Sequence, residues 1–539
     1  MRRRNGWIQD VPCRTDEYKE ENREMLIQVT EPYLWLPVDR EQKERKLHFY
    51  QEGEKFQEVD IQLGGTDADF YSAMDVRRYL GKEIEIRSDA GEQALEEIFC
   101  YREKPQHVYP FRPQLHFAAE VGWINDPNGL VYADGVYHLY HQWNPYGVKW
   151  GNMHWGHAVS RDLITWEQKP MAMEPDRYGT MFSGCGWQDR NNTAGFGRDA
   201  LLFFYTACSG DHVWAKEAGN RTTQRLAVSK DGGDTLQKQS GAVVEHIVAA
   251  NRDPKVFRHE ESRAYIMVLY LDGYEFAVFR SEDLLHWEES QRFCAEGMWE
   301  CPDLFELPVE NEAGVKKWIF WSADGYYLVG DFDGYRFTPE SDVQTAYASK
   351  LPYAAQTYSG TGSRVISVAW LRTESDRGNY RGLMSLPAQL SLVKCEDVYR
   401  IRFTLPEALE QYLRQKTQIS ARKQEQEVRL NGRAAMLALR WRVQNTGIAR
   451  VKIGTVVFEV NFEKEQLAVH TAVGKTQDIC VRFDNSQPFD LKLVIDQGII
   501  EFYGNGGLIY SAVEPEENIL GKAIVISTEP ETESICLYE

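Results

Sequence analysis

The chain has 539 residues, of which 43% are hydrophobic, and a formal net charge of -20 with a pI of about 5.2. This length exceeds one ordinary domain, so two or three domains are expected. The acidic balance argues against a nucleic-acid partner and an anionic membrane surface, because phosphate binding needs clustered Lys and Arg. The 15 Trp and 28 Tyr suit apolar cores, and beside Asn, Gly and Asp turns they also suit sugar recognition.

The cysteines and the amino terminus bear on the compartment. Nine scattered cysteines, with no Cys-x-x-Cys pair, indicate reduced thiols in a cytoplasmic protein. They occupy positions 13, 100, 185, 208, 294, 301, 395, 480 and 536. Met1-Arg2-Arg3-Arg4 is basic, but residues 5–16 contain no apolar run, so we expect no signal peptide. A leader removed from the chain would instead imply secretion. No apolar run approaches transmembrane length.

Residues 1–105 alternate apolar and polar positions in short runs, which predicts a small accessory β-sandwich. The runs lie at 25–29, 46–50, 59–63 and 83–86. This region shows no catalytic cluster, so a structural or sugar-contacting role is the better hypothesis. A linker with three prolines, at 105, 110 and 113, follows it.

Residues 111–395 contain short strand-like runs between Gly, Asn and Asp turns, and no long amphipathic helix. A segment at 160–166, Ser-Arg-Asp-Leu-Ile-Thr-Trp, recurs at 281–287 as Ser-Glu-Asp-Leu-Leu-His-Trp. Weaker copies lie at 229–236 and 331–337. An all-β unit that recurs every 50 to 70 residues is typical of propeller blades, and this spacing predicts about five of them. The repeated segments themselves are interpreted as turns at blade edges with a packing Trp.

Residues 405–539 again alternate cleanly, with strand-like runs at 435–441, 455–460, 491–495 and 499–503. Turns such as Asn505-Gly506-Gly507 separate these runs. The pattern predicts a C-terminal β-sandwich. The predicted fold is therefore all-β: a small N-terminal β domain, a five-bladed propeller and a sandwich.

Three carboxylates lie beside prolines next to strand-like runs: Asp126, Asp253 and Glu300. Pro127 removes a backbone donor and Gly129 can adopt positive φ, so Asp126 is expected at a strand end, fixed by a rigid turn. A propeller brings strand starts from every blade to one central channel, so the three acids could converge there.

The ordered motifs of residues 111–539 resemble glycoside hydrolase family 32, the β-fructosidases. The motifs are Trp123-Ile124-Asn125-Asp126-Pro127-Asn128-Gly129, Gln142-Trp143-Asn144-Pro145, Trp150-Gly151-Asn152-Met153-His154-Trp155-Gly156-His157, Phe182-Ser183-Gly184, Arg252-Asp253-Pro254, Glu300-Cys301-Pro302, Tyr353-Ala354-Ala355-Gln356-Thr357, Met384-Ser385-Leu386-Pro387 and the stretch 496–504. The first 105 residues lie outside this likeness and resemble the extra domain of some levanase-like members.

The resemblance implies hydrolysis of terminal β-fructofuranosides with retention. It implies that Asp126 is the nucleophile, that Glu300 is the general acid and then base, and that Asp253 stabilises the transition state. The positions implied to line the fructose pocket are Asn125, Gln142, Trp150, Phe182, Ser183 and Arg252. Arg252 is also expected to keep Asp253 ionised. No metal or other cofactor is expected, and the partners are fructoside substrates.

Several other signals have competing interpretations. His138, His141, His154 and His157 are assigned to packing rather than to a metal, because residues three apart on a strand face opposite ways. Cys301 is interpreted as a packed thiol that tunes its neighbour. Asp303 fits a fourth active-site acid and a turn cap equally well.

Two other functions stay open at this point. A fructosyltransferase would use the same intermediate with a sugar as acceptor, and a non-catalytic fructan-binding protein would lack turnover. The sequence also leaves open the linkage preference (β-2,1 or β-2,6), the choice of sucrose, oligomer or polymer, and the oligomeric state, with a homo-oligomer among the options.

Overall fold

The structure is a computed structural model that describes residues 23–539 with short gaps. The gaps are 108, 110, 211, 375–376, 421–424, 444–445, 472–475, 481–486 and 520, and the side chains of 476–480 are also left out. Cys13, the side chain of Cys480 and the basic segment 1–4 therefore lie outside the described residues. The chain divides into two compact units between Lys104 and Pro105.

The first unit consists of two antiparallel sheets, as predicted for the N-terminal β domain. One sheet has the strand order Arg23–Gln28, Glu83–Ser88, Arg45–Gln51, Glu54–Ile61, and the other Phe70–Asp75, Tyr33–Val38, Phe99–Tyr101. Two short helices, Arg77–Tyr79 (3-10) and Glu92–Glu96, connect strands. Alternation of side chains explains the burial pattern of strand Glu83–Ser88, in which Ile84 and Ile86 are buried and Glu83 is exposed.

The second unit begins with five successive antiparallel sheets, the five blades of the predicted propeller. Blade 1 is Gly122–Ala133, Val136–Asn144, His154–Ser160, Glu167–Met173, and blade 2 is Thr180–Asp189, Ala200–Cys208, Thr223–Ser229, Gln237–Lys238. Blade 3 is Arg252–His259, Ala264–Tyr270, Glu275–Ser281, Glu288–Cys294, and blade 4 is Asp303–Pro308, Lys316–Trp321, Tyr326–Phe332, Phe337–Pro339. Blade 5 is Pro352–Thr357, Val365–Leu371, Ala388–Cys395, Val398–Thr404.

Short pieces complete this part of the chain. Strands Gln344–Thr345, Tyr380–Arg381 and Leu383–Met384 add to blades 4, 1 and 5, and the helices are Val213–Glu217 and Glu407–Tyr412. None of the helices in the described part of the chain is long and apolar enough to cross a membrane. The predicted domain boundaries stay predictions, although the last strand of blade 5 lies beyond the expected propeller end at residue 395.

The first strands of the blades form a closed ring. The first strands of blades 1, 2 and 3 contact one another in chain order. The amide of Cys301 donates to Oδ2 of Asp253 at 3.1 Å between blades 4 and 3, and a similar bond joins blades 5 and 4. The amide of Tyr132 donates to the carbonyl of Ser359 at 2.8 Å, which joins blade 5 back to blade 1. The ring brings the five strand starts to one channel.

The repeated Ser-x-Asp segments are blade-edge turns, as predicted. In each of blades 1 to 3 the segment links the third strand to the fourth. Oγ of Ser160 accepts from the amide of Leu163 at 2.8 Å, and Oγ of Ser281 accepts from the amide of Leu284 at the same distance. Both leucines adopt positive φ, 67° and 68°. The repeat is therefore explained by local turn chemistry, since Ser and Asp side chains satisfy backbone donors.

The chain ends in a sandwich of two six-stranded sheets, as predicted. One has the order Lys416–Ile419, Thr532–Tyr538, Ala435–Trp441, Phe489–Asp496, Ile499–Gly504, Ile509–Val513. The other has the order Glu425–Arg429, Ala523–Thr528, Ile448–Ile453, Val456–Asn461, Gln466–His470, Thr476–Cys480. Inward side chains such as Leu437, Phe458 and Phe502 are fully buried between them. The predicted turn at 505–507 is a 3-10 turn.

A buried charge cluster joins the propeller segment to the sandwich. His116 lies between Oδ2 of Asp496 (2.9 Å from Nδ1) and Oε1 of Glu501 (3.0 Å from Nε2), and all three side chains have no exposure. Burial alone would lower the pKa of His116, but the two carboxylates raise it to about 9. The imidazole is therefore a cation at neutral pH, and it compensates two buried carboxylates.

We expect this contact to make stability depend on pH. Because the folded pKa of His116 exceeds its ordinary value of 6.5, its contribution of about 3 kcal/mol is complete below pH 6.5 and disappears as pH rises through about 9. The free energy of unfolding of wild type minus that of His116→Gln should shrink between pH 6 and pH 10 in denaturant titrations. A difference that stays constant over this range would contradict the assignment.

Candidate active site

The first strands of four blades each carry a β-bulge at the channel end. The register shifts lie between 124 and 127, 181 and 184, 252 and 255, and 353 and 356. A bulge inserts an extra residue and turns a side chain away from the regular alternation. The bulges lie where Asp126, Ser183 and Asp253 are found, so they aim these side chains at the channel.

Asp126 lies inside a strand and not at a strand end, which corrects the expectation from the Asn-Asp-Pro-Asn-Gly motif. The strand Gly122–Ala133 runs through the motif with two register shifts. Pro127 has no amide to donate and Gly129 has a φ of 56°, so both are tolerated at irregular positions of the ladder. The turn residues thus produce bulges within a long inner strand.

Glu300 reaches the channel by a different route. It precedes the first strand of blade 4, and both Glu300 and Cys301 have left-handed backbones, with φ of 34° and 43°. Asp253 is also left-handed, with φ of 64°. Non-glycine residues in this region cluster at active sites, where surrounding structure holds them.

The three predicted acids meet around the thiol of Cys301. Its Sγ lies 3.4 Å from Oδ2 of Asp253 and 3.6 Å from Oδ2 of Asp126. Burial, together with the neighbouring carboxylates, raises the pKa of Cys301 well above its ordinary value, so the group is a thiol that can donate. One S–H proton can serve only one of the two carboxylates at a time. The thiol thus contacts Asp253 and Asp126, whereas the sequence hypothesis had it tune Glu300, its neighbour in the chain.

Asp126 is held by a chain of polar side chains. Oγ of Ser183 donates to its Oδ2 at 2.6 Å, and Nε2 of Gln142 donates to that Oγ at 2.9 Å. Nδ2 of Asn125 donates to Oε1 of Gln142 and, at 3.3 Å, to Oδ1 of Asp126. Three of the predicted pocket positions therefore form one hydrogen-bonded group with Asp126 on blades 1 and 2.

Arg252 donates hydrogen bonds to Glu300, and its expected ion pair with Asp253 is present but longer. Nε and Nη2 of Arg252 donate to Oε2 of Glu300 at 3.1 and 2.7 Å, whereas Asp253 lies 3.6 Å from Nε. The guanidinium also lies over the rings of Tyr270 (4.5 Å) and Trp299 (5.6 Å), and these contacts fix its plane.

Burial and neighbouring negative charges raise the pKa values of two of the acids. Burial and the Glu300 charge raise the pKa of Asp126 to about 6, against hydrogen bonds from Ser183, Asn125 and Cys301. Burial raises the pKa of Asp253 to about 7, since the attraction of Arg252 is outweighed by burial and the two other carboxylates. The cluster therefore retains a proton near neutral pH, which acid catalysis needs.

Tyr353 is a site residue to which the sequence interpretation gave no role. Its hydroxyl donates to Oε1 of Glu300 at 2.5 Å. The ring packs edge-on against Trp370 (6.2 Å), and Trp370 packs against Trp123 (5.6 Å). The available signal was the motif at 353–357 at the start of a strand-like run. These rings form an aromatic wall from blade 5 to blade 1.

The remaining predicted residues are placed as follows. Trp150 is exposed to 47%, and its ring contacts Phe182 edge-on at 6.0 Å, next to Ser183 in the chain. Asp303 is buried and bonds Lys255 and Thr357, so it is neither a turn cap nor a hydrogen-bond partner of the three acids. Cys185 accepts from the amide of Val256 at 3.1 Å, deep in the blade core.

The four histidines pack inside blade 1, as predicted. Nδ1 of His138 lies 3.1 Å from Nε2 of His157, and the His157 ring stacks on Tyr140 at 4.1 Å. Burial lowers the pKa of His138 and His141 to about 4 and that of His154 to about 3. They are therefore neutral packing groups. In the described part of the chain no group of three or more His, Cys, Asp or Glu has an arrangement that could hold a metal ion.

Comparisons with known proteins identify the family of the chain. Residues 116–401 match the model of the glycosyl hydrolases family 32 N-terminal domain. The chain belongs to glycoside hydrolase family 32. It is 37% identical to a levanase of Bacillus subtilis over 331 residues, which cover 56% of this chain and 47% of the relative. It is 33% identical to an extracellular exo-inulinase of Aspergillus niger over 344 residues, 52% of this chain and 62% of the relative.

Solved structures show the same fold. An exo-inulinase from Aspergillus awamori has a TM-score of 0.70 at 25% identity and covers 80% of this chain and 98% of its own. A β-fructofuranosidase from Schwanniomyces occidentalis complexed with fructosyl-erythritol has a TM-score of 0.69 at 26% identity, with coverage of 80% and 98%. The chain spans about half to three-fifths of the length of the first curated relatives.

Proposed function

We propose that the protein is a retaining exo-β-fructosidase that releases terminal non-reducing β-D-fructofuranosyl units from fructans, fructo-oligosaccharides or sucrose. The observation that carries this proposal is the cluster of Asp126, Asp253 and Glu300 around Cys301 in a family 32 propeller. Relatives named levanase, exo-inulinase and invertase support the substrate class. A site at a propeller channel favours removal of a terminal unit.

The chemistry proceeds in two displacements. Asp126 attacks the anomeric carbon of fructose while Glu300 gives its proton to the departing glycosidic oxygen, and a fructosyl ester forms on Asp126. Glu300 then takes a proton from water, whose oxygen replaces Asp126 at the same carbon. Asp253 binds fructose hydroxyls and stabilises the oxocarbenium-like transition state. Asn125, Gln142, Ser183 and Arg252 complete the polar wall, and Trp150 and Phe182 the apolar rim.

Arg252 and Glu300 must separate during this cycle. In the structure Arg252 and Tyr353 both donate to Glu300. A fructose hydroxyl offers Arg252 another acceptor, which frees Glu300 to take the proton that the acid cluster retains. Substrate binding thereby sets the acid in its working protonation state.

Removal of either acid should abolish turnover while the fold survives. We expect Asp126→Ala and Glu300→Ala each to lower kcat on sucrose by several orders of magnitude, on the order of 10³-fold or more. On an aryl β-fructoside, whose leaving group needs little protonation, Glu300→Ala should lose much less kcat/KM than Asp126→Ala and should show a burst of released phenol, because its second step then lacks the base.

Asp189→Asn is the control for this experiment. Asp189 is a buried carboxylate at the opposite end of the strand that carries Ser183, where it accepts from the amides of Thr193 and Ala194 at 2.8 Å. The Asp189→Asn variant should retain the turnover of the wild type. Near-normal rates in either acid variant, with circular dichroism unchanged, would remove the role assignments.

The pH profile should report the tuning by Cys301. Because Asp126 must be ionised to attack and has a raised pKa of about 6, kcat/KM should fall as pH drops below about 6. Cys301→Ala removes a hydrogen bond that lowers the pKa of Asp126, so the acid limb should move upward by as much as about one pH unit. Cys301→Ser keeps a donor and Cys294→Ala alters an exposed thiol at the end of the outer strand of blade 3, so both should leave the limb near its wild-type position. An unmoved limb in Cys301→Ala would contradict the tuning role.

The substrate class is tested with sucrose, inulin, levan and short fructo-oligosaccharides. Released fructose and product masses should show single fructose units at early times. Growth of oligomers at high sucrose would instead assign a fructosyltransferase, and binding of fructans without release would assign a binding protein. Cytoplasmic action favours short, transportable substrates, so high activity on long levan with little on oligosaccharides would count against it.

The cytoplasmic location is part of the proposal. Six cysteines of the described side chains, at positions 100, 185, 294, 301, 395 and 536, are free thiols, which suits a reducing compartment. The Aspergillus niger relative is named extracellular. Fractionation of producing cells decides this point, and activity found only in the medium would contradict the cytoplasmic assignment.

A further inference from the structure

The reactive segments of blades 3, 4 and 5 have left-handed backbones. The φ angles are 64° at Asp253, 34° at Glu300, 43° at Cys301 and 50° at Ala354, which follows Tyr353. Non-glycine residues keep such conformations only where contacts with the surrounding structure hold them in place. Something close to each segment must therefore hold it.

A buried ionic cluster lies directly behind these segments. Nζ of Lys255 is 3.1 Å from Oδ2 of Asp303 and donates to the carbonyl and, at 3.0 Å, to Oγ1 of Thr357. The amide and Oγ1 of Thr357 each donate to Oδ2 of Asp303 at 2.8 Å. We call these three residues the inner-strand tie.

The tie spans three blades. Lys255 is on the first strand of blade 3, Asp303 begins the first strand of blade 4, and Thr357 ends the first strand of blade 5. Lys255 is two residues from Asp253, Asp303 is three from Glu300, and Thr357 is three from Ala354. Each strained segment thus has one tie member within three residues.

The tie is buried at a site where charge is costly. The side chains of Lys255 and Asp303 are exposed to only 5% and 1%. Oδ1 of Asp303 has no hydrogen-bond partner among the described residues. A buried ion pair with an unsatisfied oxygen is weak evidence for stability, since apolar replacements are often neutral or stabilising. This suggests another reason for its presence.

We propose that Lys255, Asp303 and Thr357 are positioning residues of the reaction, and that they hold the strained segments of Asp253, Glu300 and Tyr353 in one relative placement. The hydrogen bonds of the inner-strand tie join its three members to one another and not to the three acids. The tie therefore acts on the acids through the backbone. Displacements of about 1 Å in a catalytic group can cost on the order of 100-fold in rate. The proposal rests on the proposed hydrolysis and deepens it.

The test separates positioning from stability with one double variant. K255M and D303N each leave one buried partner of the pair without its counterpart, so both should lower the melting temperature and kcat. The double variant K255M/D303N removes both charges at nearly unchanged volume, so its melting temperature should recover most of the loss. Its kcat on sucrose should nevertheless stay about 10- to 100-fold below wild type, with KM changed by less than about threefold.

A matched pair elsewhere in the same unit provides the control. Nη2 of Arg377 lies 2.8 Å from Oε1 of Glu514, with side-chain exposures of 4% and 12%, and neither residue belongs to the catalytic cluster. R377M/E514Q should keep wild-type kcat whatever its melting temperature. T357V, which removes only the hydroxyl bonds of the tie, should show a kcat loss with little loss of stability.

Two kinetic results would overturn the proposal: full recovery of kcat together with the melting temperature in K255M/D303N, or wild-type kcat in both single variants. Wild-type release of fructose is measured first, and its absence would defeat the proposed function and not the tie. A crystal structure of K255M/D303N then decides independently of turnover. The proposal expects the contacts of Cys301 with Asp126 and Asp253 to lengthen, and unchanged contacts would overturn it.

Discussion

The burial of three carboxyl groups beside one another is the constraint on which the rest of this site depends. Like charges in a dry channel repel, so the group is stable only with a cation and with donors aimed at each oxygen. Arg252 supplies the cation, and Ser183, Cys301 and Tyr353 supply the donors. Burial and the remaining repulsion raise the pKa values of Asp126 and Asp253, so the cluster keeps a proton near neutral pH.

This constraint also explains the irregular backbone of the inner strands. Regular strands would alternate their side chains, and the acids of different blades would not converge on one point. Bulges on the first strands of blades 1, 2, 3 and 5 and left-handed residues before blade 4 re-aim single side chains. The buried contact of His116 with the sandwich lies elsewhere in the same unit.

The sequence predicts the sheets, the repeated turns and the three candidate acids, because alternation, Ser-x-Asp turns and family motifs are local signals. It placed Asp126 at a strand end because Asn, Pro and Gly usually end strands. In the structure the strand continues through these residues with two bulges, and the local sequence does not reveal this because the strand is held by its neighbours in the ring. It paired Arg252 with its sequence neighbour Asp253, an ion pair that the structure contains, but it missed the shorter contact of the guanidinium with Glu300, 48 residues along the chain. Contacts between blades, such as that of Tyr353, depend on ring closure, which no local pattern encodes.

The central claim is that Asp126 forms a covalent fructosyl intermediate, so fructose leaves with the configuration in which it arrived. Transfer to methanol tests this most directly, because the methyl glycoside preserves the configuration that mutarotation of free fructose would hide. With sucrose and methanol, early NMR spectra should show methyl β-D-fructofuranoside. Formation of the α-anomer would mean a single displacement by the acceptor and would contradict the account.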